Sequence, residues 1–181
     1  IEKGCSKQNS YMKIWNGSLK KENEMTNILN SKCLEHLNEN LSNIVGVGPF
    51  LAMQYAIDLN YSDVFNFDEN EFIVPGPGSL RGMDRCFEGQ KNQKDYVEIL
   101  KWVQCNLENL LHEKGYDVKF LPNRKPTLID IQNCFCEISK YLRGLPEYSN
   151  GKSGEKRIKQ KFRESSKKIE YFFPPKWNVS F

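Results

Sequence analysis

Six consecutive residues, Val45-Gly46-Val47-Gly48-Pro49-Phe50, set the strongest limit on how this chain can fold. Upstream of them Met25, Ile28, Leu29, Leu34, Leu37 and Leu41 recur at helical spacing, which predicts a helix from about Glu22 to Asn43. Two glycines and a proline end that helix and restart another. Pro49 suits the first turn of the new helix, where a missing N–H costs nothing. This second helix is expected to run to about Asn60. A helix, a Gly-Val-Gly turn and a second helix point several backbone N–H groups outward, and glycine lets a ligand come close to the backbone. The helix N-terminus adds a partial positive charge. Gly46, Gly48 and the first turn after Pro49 therefore make a seat for one phosphate, with no reading of base sequence. An ordinary turn between helices, punctuated by glycine, fits the same six residues.

The rest of the chain reads as helices joined by irregular segments. Asp63–Glu71 is expected to be an aromatic-containing loop. Phe72–Leu80 is too rich in Pro and Gly for a regular element, with Ser79 as the cap of a short helix through Phe87. Gln93–Lys114 predicts a long helix whose apolar stripe is Tyr96, Val97, Leu100, Val103, Leu107, Leu110 and Leu111, with Gly115 placed to end it. Pro126-Thr127 opens another helix, where Thr127 and Asp130 carry the spacing of an N-terminal cap. Leu128, Ile131, Phe135, Ile138 and Leu142 follow on one face. Strands are hardly indicated, so the fold class is all-α. Residues 1–20 form a polar segment set apart from a single domain over 21–181. Ile1 is not an initiating methionine, which predicts a fragment or a processed chain.

The chain has 181 residues, 39% of them hydrophobic, which is enough for a packed core and argues against wholesale disorder. No apolar run reaches the roughly 18 residues that span a bilayer, and the first ten residues lack the apolar core of a signal peptide. Six cysteines are scattered without a CxxC pair, and the two histidines stand apart from them. No zinc site, other metal or cofactor is expected, and reduced thiols in a cytosol or nucleus are. The net charge of +3 is unevenly placed. Gly151–Lys168 holds eight Lys/Arg and two Glu, so this stretch carries +6 and leaves the remainder at −3. Arg157, Lys159, Lys161 and Arg163 alternate along it, a pattern suited to an anionic backbone, although a solubilising loop has the same composition.

Five blocks carry a family resemblance. They are GVGPFLAMQYAIDLNYS (Gly46–Ser62), FIVPGPGSLRGMDRCF (Phe72–Phe87), LIDIQNCFCEISKYLR (Leu128–Arg143), RIKQKF (Arg157–Phe162) and FPPKW (Phe173–Trp177). In this order they resemble the alpha-glutamyl/putrescinyl thymine pyrophosphorylases, a family also found as the helical domain beside 5-hydroxymethyluracil DNA kinases. The similarity runs from about Asn43 to Trp177, while the family's usual N-terminal helices have no clear counterpart in residues 1–20. It implies a helix-hairpin-helix, DNA-glycosylase-like helical domain acting on a hypermodified pyrimidine flipped out of DNA, by excision or by substitution of an activated group. Its implied partners are DNA carrying modified bases and a kinase or other base-modification enzyme. A non-catalytic DNA-binding module is the alternative.

Glycosylases of that fold place a catalytic Asp in the loop past the hairpin, where this chain has Pro75. Ile73–Gly78 is then expected to be a rigid loop with exposed N–H groups, lining a base pocket through Pro75, Gly76 and Gly78, or else a plain connector. Tyr61, Asn133 and Tyr141 complete the candidate pocket. The candidate acids are Asp130 and Glu137. At about 100° per residue they share a stripe with Cys134 and Tyr141, about 120° from the apolar face. One could stabilise a developing cation or deprotonate a water or amine. Alternatively Asp130 only caps its helix and Glu137 only pairs with Lys140 or Arg143. Asp58 and Asp84 are weaker candidates, the first ending its helix and the second pairing with Arg81 or Arg85. Arg81 and Arg85, one turn apart, bind phosphate or are plain surface charges.

Overall fold

A computed structural model describes residues 22–145, 163–168 and 170–179, together with position 17. These residues hold six α-helices, one 3-10 turn and no strand. They fall into two compact units divided at Val74/Pro75.

The first unit contains α1 (Glu22–Leu29), α2 (Leu34–Ser42) and α3 (Pro49–Asn60). The single helix expected over Glu22–Asn43 is thus two helices. The break lies at Asn30–Cys33, because polar side chains there offer the backbone other partners. Cys33 is the N-cap of α2, its sulfur accepting from the His36 N–H at 3.5 Å. The Asn40 amide donates to the Asn27 carbonyl and to the Ser31 hydroxyl, each at 3.0 Å, and pins the corner. Helix α2 packs on α3, and Leu34, Leu37, Leu41, Ile44, Val47, Ala52, Met53, Ala56 and Ile57 are all buried. After α3 the loop is ordered by one buried side chain. Asn60 accepts from the Phe67 N–H at 2.8 Å and donates to the Phe67 carbonyl at 3.1 Å. Its amide stands in for a strand partner, which is why a polar residue can be 1% exposed.

The second unit contains α4 (Pro77–Cys86), α5 (Gln93–Glu113), α6 (Leu128–Gly144) and the 3-10 turn Pro175–Trp177. Helix α4 starts earlier than expected. Gly76 is its N-cap and Pro77 its first residue, so Ser79 is a buried interior position and not the cap. The Gly76 N–H is not exposed either: it donates to the buried Gln132 Oε1 at 3.0 Å. Glycines set how closely α4 meets α6. A methyl group at Gly82 would overlap the Phe135 carbonyl, and one at Gly78 would lie 2.5 Å from the Cys136 sulfur. The long helix α5 begins at a capping box made by Asn92 and Asp95 and ends before Gly115, whose φ is +76°. Of its predicted apolar stripe only Leu100 is fully buried, so α5 is a peripheral helix.

The start of α6 is a charged knot. Thr127 and Asp130 form the expected capping box. The same Asp130 carboxylate accepts from Arg124 Nη1 at 2.7 Å. The Arg124 guanidinium lies 3.8 Å from the centre of the Trp177 ring, which fastens the C-terminal aromatic segment to this corner. No helix among the described residues is long and apolar enough to cross a membrane.

Two outcomes follow from this packing. Gly82→Ala should lower stability by about 3 kcal/mol, since a backbone carbonyl must move, whereas Gly48→Ala, which meets nothing within 4 Å, should be near neutral. Asp130→Ala should cost about 2–3 kcal/mol through the lost cap and the stranded Arg124, and Glu137→Ala under about 0.5 kcal/mol. Urea unfolding of each variant checks both orderings.

Candidate functional site

The hairpin of the first unit is exposed and free of side-chain caps. Gly46 has φ +87°, the left-handed conformation that lets the chain reverse between α2 and α3. Val47 turns inward at 6% exposure and its N–H donates to the Ile44 carbonyl at 2.9 Å, which locks the turn. Val45, Gly46, Gly48, Pro49 and Phe50 stay exposed. Gly48 is the N-cap and carries no side chain to satisfy the first turn of α3. The N–H groups of Phe50 and Leu51 consequently face outward from the helix start, as all first-turn donors do.

Arg81 and Arg85 lie on α4 one turn apart, Arg81 exposed and Arg85 half-buried. Arg85 Nη1 donates to the Ser139 carbonyl at 3.4 Å, and Arg143 Nε donates to the same oxygen at 3.2 Å. One carbonyl of α6 thereby gathers two guanidinium groups. Arg143 enters from sequence only as a candidate partner of Glu137, not as a phosphate contact. Its i+4 spacing from Ser139 is visible in the chain, but the approach of Arg85 from another helix is not. Asp84 is held by the Tyr96 hydroxyl at 2.8 Å and by Lys91 Nζ at 3.6 Å, in place of the expected pairing with Arg81 or Arg85. Arg157, Lys159 and Lys161 lie outside the described residues.

The acidic stripe of α6 is brought together along one face as the spacing predicts, and that face is open to solvent. Cys134, Glu137 and Tyr141 are exposed and Asp130 is half-exposed. Asp130 is occupied by Arg124 and by the Thr127 N–H, the latter at 2.9 Å. Glu137 bonds Lys140, and this hydrogen bond raises the lysine's pKa above the ordinary range. Desolvation of its sulfur and then the Asp130 carboxylate push the Cys134 thiol upward, which disfavours the reactive thiolate. The plain alternatives weighed for both acids are therefore present as contacts.

The candidate pocket residues fall in both units. Tyr61 is half-buried in the first unit. In the second, Pro75 and Gly76 are buried, Gly78 faces Cys136, and Asn133 and Tyr141 are exposed on α6. Grooves open elsewhere. One of about 730 Å³ lies at the end of α5, between His112 and Phe120, and another of about 250 Å³ beside Gln104 and Pro126. None of the predicted site residues lines either. Among the described residues no group of three or more His, Cys, Asp or Glu is arranged to hold a metal.

Over residues 2–150 the chain matches the family described as 5-hmdU DNA kinase, helical domain. The match takes in the N-terminal segment in which the sequence blocks had no counterpart, and it ends before Arg157–Phe162 and Phe173–Trp177. No curated protein and no solved structure matches the chain. The extent of this match, most of the sequence, places the chain in the 5-hmdU DNA kinase helical-domain family.

Proposed function

We propose that this chain is a DNA-binding helical module that holds DNA carrying a modified base for a partner enzyme. The family name points to a kinase acting on 5-hydroxymethyldeoxyuridine in DNA as that enzyme. The observation that carries the reading is the exposed Gly46–Pro49 turn, with a glycine N-cap and open first-turn donors. It offers a phosphate what it needs: backbone N–H groups, a helix N-terminus and no intervening side chain. The guanidinium groups of Arg81, Arg85 and Arg143 give the second unit a phosphate contact of its own.

The finer reading, a glycosylase-like enzyme that excises or substitutes the base with Asp130 and Glu137, has less support. A general acid or base working on a flipped base needs a cleft that excludes water. Asp130 is instead tied up in a helix cap and an ion pair, and Glu137 stands in solvent. A specific pyrophosphorylase activity would require that same cleft.

Fluorescence anisotropy with duplex DNA bearing 5-hydroxymethyluracil tests the proposal. Gly48→Glu, which adds a charge without a clash, should weaken binding about tenfold, the order of one lost charge-assisted contact. Gly48→Ala should bind as the parent does. The double variant Arg81→Ala, Arg85→Ala should flatten the log–log salt dependence by up to about 1.8, or about 0.9 per phosphate contact. Unchanged affinity of Gly48→Glu would remove the hairpin from the interface. Alkali-labile sites appearing in hypermodified DNA would overturn the non-catalytic reading.

A further inference from the structure

Beyond the family match, residues 170–174 run without helix into the 3-10 turn Pro175–Trp177. Their aromatic rings form a ladder. Tyr171 is stacked on Phe173, with centroids 6.4 Å apart and ring planes at 11°. Phe173 meets Trp177 at 6.1 Å. Trp177 lies against the Arg124 guanidinium, and Arg124, with a side chain 11% exposed, is ion-paired to Asp130. The inner end of the ladder is therefore anchored in the folded unit. The outer end is displayed: Tyr171 is 73% exposed and Phe172, which alternation along an extended chain turns the other way, is 87% exposed. Arg163, Lys167 and Lys168, just upstream, are all exposed, in a stretch of sequence that carries +6 over Gly151–Lys168.

Two neighbouring rings are exposed, one steadied by its stack on Phe173 and the other turned to the opposite side, with cations three to nine positions upstream in the chain. They match the needs of an unpaired nucleic-acid strand whose bases can stack on either side. Bases stack on aromatic faces whatever their identity, and the phosphates between them require positive charge. A duplex hides its base faces and could use only the cations. We propose that Tyr171 and Phe172, with Arg163, Lys167 and Lys168, form a stacking strip for a single strand of nucleic acid. This inference rests on the nucleic-acid reading above and extends it from duplex phosphates to unpaired bases.

The test uses the whole chain and dye-labelled dT15 and rU15 in anisotropy titrations. The double variant Tyr171→Ala, Phe172→Ala should bind dT15 at least about tenfold more weakly, while Tyr171→Phe, which keeps the ring, should bind like the parent. The double variant Lys167→Ala, Lys168→Ala should flatten the salt dependence by about 1.4, or about 0.7 per phosphate of a single strand. Circular dichroism should show unchanged helicity and melting in all three. Duplex binding should survive in the aromatic variant, since the hairpin is intact. A preference for rU15 over dT15 would keep the strip and assign it to RNA. Equal dT15 affinity in the aromatic variant and the parent overturns the strip while leaving the duplex reading standing. So does capture of the parent by anionic phosphatidylserine vesicles with no binding to either oligonucleotide. Loss of duplex and single-strand binding together in the parent chain would sink both readings.

Discussion

The second unit depends on one close approach, that of α4 to α6 at Gly82 and the Phe135 carbonyl. Ordinary helices are held apart by side chains at their contact, whereas here the backbones nearly touch. The residues around the crossing are small for the same reason. Gly78 and Gly82 face α6, and Ser79 on α4 and Ser139 on α6 are each buried at 1% exposure. Size outweighs polarity at these serines: among the described residues neither Ser79 nor Ser139 has a partner for its hydroxyl. A buried unpaired hydroxyl costs about 1–3 kcal/mol, so the contact must return more than that through dispersion and exclusion of water. The approach also has chemical results. It lets the Gly76 N–H reach Gln132, and it carries Arg85 to the Ser139 carbonyl where Arg143 already sits.

What could be read from sequence were the features written within one turn of chain. Pro49 at the first position of α3, the Thr127/Asp130 box and Gly115 at the end of α5 are local chemistry, and each stands where the residues place it. Periodicity alone was a poorer guide. It ran through the break at Asn30–Cys33 because leucines on either side keep helical spacing, while the corner is made by Asn40 reaching back across thirteen positions. It placed α5 and its apolar stripe correctly, but not how shallowly that stripe is buried: only Leu100 is fully covered. The knot of Arg124, Asp130 and Trp177 was invisible for a different reason. Its members are separated by up to fifty-three positions, and nothing near Arg124 marks it as an anchor for a distant ring.

The acidic stripe of α6 shows the limit of a helical wheel. Spacing correctly puts Asp130, Cys134, Glu137 and Tyr141 on one side, but a wheel says nothing about what stands opposite. Opposite them is solvent, apart from the Arg124 corner. Likewise, the Pro-Gly run at Pro75–Gly78 signalled a special backbone, and it is one. The speciality is spent on starting α4 and on fitting it to α6, and the donor that looked available to a base is used inside the protein.

A surface that binds a polyanion and a site that transforms a base make opposite demands on their environment. Binding wants cations and backbone donors in water, where they attract phosphate at long range and release counterions. Catalysis wants titratable groups drawn into a dry cleft, where neighbours drive their proton affinities apart. Among the described residues the groups whose titration is displaced do not form such a set; Lys140, for one, is raised by its hydrogen bond to the exposed Glu137. Asp58 is raised by burial in the first unit, and Cys86 by burial at the end of α4. Tyr96 is raised chiefly by its hydrogen bond to Asp84. Cys134 moves away from its reactive form. What the chain does collect on its surface is an uncapped glycine turn, arginines gathered on one carbonyl, and exposed aromatic rings. Each of these is worth more in contact with a charged, partly unstacked polymer than inside a pocket. That difference in physical setting underlies the proposed role of a module that holds the strand for a partner.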